Sequence, residues 1–148
     1  MPNLEPKKWG PHMWRSLHSI TFAYPDNPTE EDKINYKSFF NFLSNVLPCE
    51  SCRQHYKENI TCGNLNINNK EIFESRDNLT KWLYELHNLV NKQTNKNIVI
   101  SYEEVAKDYL SMAGGGDYED NIINNFNNFN NFNIFNNLKI KRYKLTKS

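Results

Sequence analysis

The sequence predicts an all-α fold, namely a four-helix bundle with a short additional fifth helix, followed by a low-complexity tail. Before residue 113 the apolar residues recur at helical spacing, and the alternation typical of strands is almost absent. Residues that cap helices precede several of these apolar runs. With 148 residues, the chain can hold one domain with its own core. We therefore expect a helical domain over residues 1–113 and a tail over residues 114–148.

Two helices are expected before Pro48. The first should begin near Trp9, accommodate Pro11 in its opening turn and end at Pro25. Thr29 is a suitable N-cap for the second helix, because acidic residues follow it at the positive end of the helix dipole. We expect the second helix to turn its apolar residues inward: Ile34, Phe39, Phe42, Leu43 and Val46.

Three further helices are expected after Pro48. A short one should start at Cys49 and run through Tyr56. Ser75 can cap a long fourth helix, whose apolar residues have the clearest helical period in the chain. Ser101 and Glu104 have the spacing of a capping box and open the fifth helix. Three consecutive glycines, residues 114–116, should end the helical domain.

The tail is an asparagine- and phenylalanine-rich tract. Between residues 121 and 137 a phenylalanine recurs at every third position from residue 126. Three residues advance an α-helix by about 300°, so these rings would not share one face. We expect the tract to be disordered or loosely docked, and the alternative is a partner-binding tail.

Charge and hydropathy exclude several classes of function. The formal net charge is +1, which gives no general electrostatic reason to bind nucleic acid or an anionic membrane. No apolar run approaches the roughly 18 to 20 residues needed to span a bilayer, and the chain begins without the pattern of a signal peptide. We therefore expect a soluble protein made in the cytoplasm.

Cys49 and Cys52 form the sharpest chemical feature, a Cys-x-x-Cys pair directly after Pro48. At the first turn of a helix, backbone N–H groups can stabilise a thiolate. The pair is a redox-active dithiol, half of a zinc site, or a pair of buried thiols without chemistry. His55 and Cys62 would complete four zinc ligands, so the alternative function is a non-enzymatic zinc-binding or adaptor module.

The helical context favours a dithiol that passes electrons to a cofactor over a thioredoxin-like domain. No βαβ pattern surrounds Cys49 and Cys52, which argues against a thioredoxin-like domain. The chain has three cysteines and therefore no second vicinal pair to receive electrons. A bound cofactor is the economical acceptor for a dithiol in such a chain.

Several motifs occur together in a characteristic order. They are the run from Trp9 to His18, Tyr24-Pro25-Asp26, Pro28-Thr29, Pro48-Cys49-Glu50-Ser51-Cys52, Trp82-Leu83 and His87-Asn88-Leu89-Val90-Asn91-Lys92. Their order and spacing resemble the Erv/ALR family of FAD-linked sulfhydryl oxidases. The resemblance covers roughly residues 5–112 and favours the redox dithiol over the zinc site.

The resemblance implies that FAD is the cofactor and that Cys49 and Cys52 are the catalytic pair. A client dithiol would exchange with their disulfide, most directly at Cys49, which we expect to be the more exposed sulfur. Two electrons would then pass through FAD to molecular oxygen, giving hydrogen peroxide. The resemblance also implies a set of cofactor-binding residues: Gly10, Trp14, His18, His55, His87, Asn88, Val90, Asn91, Lys92, Lys96 and Tyr109.

The resemblance also bears on partners and on departures from the family. It implies a homodimer formed by the first helices and a thiol-containing client protein, thioredoxin-like because no shuttle cysteine pair is present.

Pro11 follows Gly10 where many relatives carry arginine, and Tyr84 and Ser101 stand at the positions of a structural disulfide. The asparagine-rich composition without a shuttle pair resembles oxidases of large DNA viruses, which would place the protein in the host cytoplasm or the virion.

Overall fold

The structure is a computed structural model that describes residues 2–112. Within this range it contains no strand and has five α-helices: α1 (Pro6–Phe22), α2 (Glu30–Val46), α3 (Glu50–Thr61), α4 (Arg76–Gln93) and α5 (Tyr102–Leu110). Two short 3-10 turns, Gly63–Leu65 and Lys70–Phe73, lie between α3 and α4. The predicted all-α fold is confirmed. The glycine stop and the asparagine- and phenylalanine-rich tail lie outside the described residues.

Helices α1 to α4 share one hydrophobic core. They belong to a compact unit that ends at Lys96, in which α1 packs against α4 and α2 packs against α3. Trp82 on α4 is fully buried, meets the ring of Phe40 edge to face, and donates its indole N–H to the Leu65 carbonyl at 3.0 Å. Tyr24 is also fully buried and donates its hydroxyl to the Phe73 carbonyl at 2.8 Å. Helix α5 belongs to a second compact unit.

The capping residues expected from the sequence start their helices as predicted. The Thr29 hydroxyl accepts the N–H of Asp32 at 3.1 Å, and the Asp32 carboxylate accepts the N–H of Thr29 at 2.8 Å. The hydroxyl of Ser75 accepts the first-turn N–H of Asn78 and so caps α4. Ser101 heads a second capping box at the start of α5. These local hydrogen bonds satisfy backbone donors that the first turn of a helix leaves without intrahelical partners.

Two helices are longer than the sequence predicted. Helix α1 begins at Pro6, whose fixed φ suits a first turn, so that Pro11 falls inside the helix and not in its opening turn. Helix α3 continues to Thr61 and buries Ile60. This extension was not predicted, because the residues between Tyr56 and Ile60 are polar.

The predicted inward face of α2 is largely wrong. Leu43 is buried as expected, together with Phe40, but Ile34, Phe42 and Val46 are 63%, 63% and 65% exposed. Each residue of a helix is rotated by about 100° from the one before it, so Phe42 lies well away from the inner face on which Leu43 lies. Helix α2 therefore presents an apolar outer stripe, defined as Phe39, Phe42 and Val46. No helix in residues 2–112 combines the length and apolarity that crossing a bilayer requires.

Candidate active site

Cys49 and Cys52 form a disulfide at the start of α3. Cys49 is the N-cap, with extended backbone at φ −148° and ψ 126°, and its Cα lies 5.1 Å from that of Cys52 in the first helical turn. The Sγ of Cys49 accepts the backbone N–H of Cys52 at 3.2 Å and lies 3.3 Å from the Ser51 hydroxyl oxygen. The sulfur thus takes the place of the side-chain oxygen that caps most helices, and it faces the positive end of the helix dipole.

The exposure of the two cysteines is the reverse of the expectation. Cys49 is only 4% exposed, whereas Cys52 is half-buried. Two hydrogen bonds hold the corner between α2 and α3, in which Cys49 lies. The Arg53 guanidinium donates to the Leu47 carbonyl at 2.6 Å, and the Leu4 N–H donates to the Pro48 carbonyl at 2.8 Å. The sequence pattern alone could not reveal these ties.

The zinc interpretation is not supported by this geometry. The sulfurs of Cys49 and Cys52 are bonded to each other, so neither is the thiolate that zinc requires. His55 lies exposed on α3, and Cys62 is an exposed thiol at the end of that helix. Nowhere in residues 2–112 do three or more His, Cys, Asp or Glu side chains form a group able to hold a metal ion.

A second cluster joins α1 to α4 through three aromatic rings. Trp14 and His18 lie one turn apart on α1, and the Trp14 ring stacks on His87 of α4 with centroids 4.0 Å apart and planes 9° apart. His18 Nε2 and His87 Nδ1 lie 3.0 Å apart, within hydrogen-bond distance. The resemblance assigned all three residues to the cofactor, and the structure brings them into contact. The direct contact between the histidines was not foreseen.

Both histidines are neutral at physiological pH. Burial, with a smaller contribution from the neighbouring His87, lowers the pKa of His18 from 6.5 to about 3. Burial also lowers the pKa of His87 from 6.5 to about 4, with a smaller contribution from the positive charge of Lys96. One neutral ring therefore donates the hydrogen bond between them and the other accepts it. Together with Trp14 they form an uncharged aromatic cluster, in which His18 is tilted by 39° to the Trp14 ring and by 41° to the His87 ring.

The end of α4 directs the chain back towards this cluster. Asn95 has a left-handed backbone, with φ +55°, and its N–H donates to the Lys92 carbonyl at 3.2 Å. The Lys96 N–H donates to the carbonyl of Asn91 at 2.8 Å, which completes a Schellman motif. Lys96 is thereby held near enough for its charge to act on His87. Asn95 was missed from the sequence, although asparagine after the last helical turn is a known signal for this motif.

The remaining predicted site residues have less defined roles. Asn91 is 8% exposed, one helical turn after His87, while Asn88 and Val90 are half-buried and Lys92 is exposed. A Cβ added at Gly10 would meet no atom within 4 Å, so open space lies beside α1 one turn before Trp14. Tyr109 is half-buried on α5, in the other compact unit, and its role at the site stays a prediction.

Comparison with known proteins places this arrangement in a family. The profile of the Erv1 / Alr family matches residues 11–110, a range that contains the disulfide and the Trp14–His18–His87 cluster. The chain belongs to the Erv1 / Alr family. A probable FAD-linked sulfhydryl oxidase of Acanthamoeba polyphaga mimivirus is 41% identical over 101 residues, covering 68% of each chain. The FAD-linked sulfhydryl oxidase of African swine fever virus is 36% identical over 102 residues, covering 68% of this chain and 79% of the viral protein.

Solved structures agree with this family membership. The yeast Erv1 core superposes with a TM-score of 0.63 at 29% identity, covering 79% of this chain and 91% of the core. The FAD binding domain of Erv1 from Saccharomyces cerevisiae gives a TM-score of 0.63 at 30% identity, covering 72% and 95% of the two chains. The helical arrangement of this family member is therefore that of the Erv1 core.

The buried histidines predict a pH-dependent stability. Their folded-state pKa values lie below the ordinary value, so between about pH 6.5 and 4 the unfolded chain binds more protons than the folded one. The free energy of unfolding should therefore fall as the pH is lowered from 7 to 4.5, by up to about 1.4 kcal/mol per pH unit for each histidine. Urea unfolding of the cofactor-free protein measures this slope. The His18→Gln/His87→Gln variant should have a clearly smaller slope, whereas the exposed-site control His12→Gln should match the wild type. Equal slopes in all three proteins would contradict the assignment.

Proposed function

We propose that this chain is an FAD-dependent thiol oxidase that forms disulfides in client proteins, with Cys49 and Cys52 as its working dithiol. The observation that carries the proposal is the Cys49–Cys52 disulfide at the start of α3 in an Erv1 / Alr family member. Relatives named FAD-linked sulfhydryl oxidase and a matching FAD binding domain support both the activity and the cofactor.

The site residues suit the chemistry of FAD. The neutral rings of Trp14, His18 and His87 offer aromatic faces for stacking on a heteroaromatic ring and nitrogen atoms for hydrogen bonds to its edge. Lys96, placed by the Schellman turn, can neutralise a pyrophosphate, and the space beside Gly10 admits a bulky group. The remaining residues assigned to the cofactor are His55, Asn88, Val90, Asn91, Lys92 and Tyr109. When bound, FAD supplies the transfer of two electrons from thiols to molecular oxygen, and the oxygen is reduced to hydrogen peroxide.

The protein's own part is two thiol-disulfide exchanges. A client thiolate attacks Cys49 Sγ, the Cys49–Cys52 bond breaks, and its electron pair leaves on the Cys52 sulfur. The second client thiolate then attacks the client sulfur of the mixed disulfide, so that the client disulfide forms and Cys49 leaves as a thiolate. Two electrons and two protons have then left the client. Donors already aimed at Cys49 Sγ, the Cys52 N–H and the Ser51 hydroxyl, can stabilise the departing thiolate.

Replacing either working cysteine tests the activity. Because no exchange can proceed without both sulfurs, Cys49→Ser and Cys52→Ser should each lower oxygen consumption with dithiothreitol by at least about 100-fold. The FAD content should not change, since the assigned cofactor residues remain. Cys62→Ser is the matched control, because Cys62 lies outside the disulfide, and it should keep the full rate. Full turnover in the Cys49 or Cys52 variant would refute the proposed function.

Replacing His87 tests the cofactor site. His87→Ala removes the stack with Trp14 and the hydrogen bond with His18, so we expect FAD affinity to fall by about 10- to 100-fold. The thermal midpoint should also fall, because a ligand that binds only the folded state stabilises it. Turnover should be near normal once FAD is added in excess, because the dithiol is unchanged.

Fluorescence titration of FAD and thermal unfolding across a range of FAD concentrations measure these effects. The control His12→Ala replaces an exposed histidine of α1 and should match the wild type in both. Unchanged affinity and midpoint in His87→Ala would remove this residue from the cofactor site.

A second copy of this chain is the first proposed partner. The outer stripe of α2 consists of Phe39, Phe42 and Val46, and Phe42 and Val46 are more than 60% exposed. A two-fold axis brings identical patches together, and an uncharged helix stripe is compatible with itself in that arrangement. The expected dimer through the first helices is therefore assigned to the α2 stripe.

A charge on this stripe tests the dimer. Phe42→Glu would bury a carboxylate against apolar side chains, and we expect it to weaken the dimer by about 100-fold or more. Sedimentation velocity across a concentration series measures the change. Asn35→Glu places the same charge at an exposed position of α2 and should leave the dimer intact. A monomeric wild type, or a Phe42→Glu variant that dimerises normally, would contradict the assignment.

The chain has one cysteine besides Cys49 and Cys52, so it has no shuttle pair to carry electrons from a client. The client is therefore a small, thioredoxin-like thiol protein that reaches Cys49 directly. Similarity to proteins of mimivirus and African swine fever virus supports a viral setting, with the host cytoplasm or the virion as the place of action. Molecular oxygen is the electron acceptor.

A further inference from the structure

A short segment is hydrogen-bonded to the backbone on both sides of Cys49 and has no part in the mechanism above. Residues 2–5, here called the strap, precede α1. The Asn3 side-chain oxygen accepts the N–H of Glu50 at 2.9 Å, and the Leu4 N–H donates to the Pro48 carbonyl at 2.8 Å. The Leu4 carbonyl in turn accepts the indole N–H of Trp9 at 3.1 Å, which anchors the strap to α1.

The two contacts lie on either side of Cys49. Asn3 meets residue 50 and Leu4 meets residue 48, so the strap runs antiparallel across the corner with Cys49 between its two hydrogen bonds. Cys49 itself has extended backbone. The strap therefore occupies the Pro48 carbonyl, which accepts, and the Glu50 N–H, which donates. An acceptor and a donor two residues apart are the pattern with which an exposed extended edge binds an added peptide.

This position creates a conflict with turnover. Cys49 is 4% exposed, yet a client sulfur must reach it in line with the disulfide. The strap is held mainly at the surface, with Leu4 51% exposed and the Asn3 contact exposed. Segments with few buried contacts and exposed hydrogen bonds open at low cost. The strap is thus the element beside Cys49 that can leave most easily.

We propose that the strap occupies the client-docking edge of the enzyme, and that an extended, cysteine-containing client segment replaces it during oxidation. The client backbone takes over the Pro48 carbonyl and the Glu50 N–H, which places the client thiol next to Cys49. Pairing through the backbone recognises an extended conformation and not a particular sequence. This inference rests on the proposed thiol oxidase function and specifies how its client binds.

The first experiment compares two thiol substrates on the full FAD-loaded protein. Asn3→Ala removes the acceptor of the Glu50 N–H and so weakens the strap. We expect kcat/KM for a short linear peptide with two reduced cysteines to rise about 3- to 10-fold, the factor for one ordinary hydrogen bond. Dithiothreitol gains only from easier access to Cys49 and has no backbone to pair with the edge, so its kcat/KM should rise less, by no more than about twofold.

Controls separate docking from folding. Asn35→Ala, an exposed asparagine on α2, should leave both substrates unchanged. Leu4→Pro removes the N–H that meets the Pro48 carbonyl and should repeat the effect of Asn3→Ala through the other contact. FAD content and thermal midpoint are measured for every variant, so that loss of the fold is recognised.

The second experiment detects the exchange of strap for client directly. Amide hydrogen exchange of the wild-type, FAD-loaded protein is recorded with the same peptide in which both cysteines are replaced by serine. The Leu4 amide should exchange faster as the peptide is added, while the Glu50 amide stays protected, because the peptide replaces Asn3 as its acceptor.

Three results would overturn the proposal. An equal rise for peptide and dithiothreitol would make the strap a simple cover with no docking role. A fall for the peptide would make the strap part of the binding surface. Unchanged exchange at Leu4 at saturating peptide would exclude displacement. Failure of the wild type to oxidise either thiol would instead count against the proposed function, and the exchange experiment would still decide whether the edge binds a peptide.

Discussion

The start of α3 is the constraint on which the working site depends. Cys49 serves at once as the N-cap of this helix and as one half of the disulfide, so the geometry of the helix start fixes the position of the sulfur. Its Sγ satisfies the first-turn N–H of Cys52, and its own carbonyl accepts the N–H of Arg53 at 3.0 Å. The first turn of α3 therefore holds the sulfur in place, because moving it would break the hydrogen bonds that start the helix.

The second requirement is that α1 and α4 remain in contact. The stack of Trp14 on His87 and the hydrogen bond from one histidine to the other join these helices through polar as well as apolar contacts. Burial keeps both rings uncharged. Two positively charged rings at this distance would repel each other. The nearby cation, Lys96, approaches only from the end of α4. The cluster therefore combines neutral aromatic rings with a positive charge at one side.

Surface features complete the description of the enzyme. The outer stripe of α2 leaves apolar side chains in water, which is a cost unless another surface covers them. The strap is held beside Cys49 by hydrogen bonds to the residues on either side of it, and the Asn3 contact lies at the surface. The outer stripe of α2 is thus suited to a lasting contact, and the surface under the strap is suited to a transient one.

The sequence determined the local features of this protein, and the tertiary structure decided the features that depend on distant parts of the chain. Capping residues such as Thr29 and Ser75 act within one helical turn, so their roles could be predicted, as could the helical class and the Cys49–Cys52 pair. The inner face of α2 could not, since two apolar stripes compete there and only packing selects Leu43 over Phe42. The contact of His18 with His87, 69 residues apart in sequence, also required the fold, because no local pattern specifies which helices become neighbours. For the same reason neither the burial of Cys49 nor the hydrogen bond of Leu4 to Pro48 was foreseen from the motif around the cysteines.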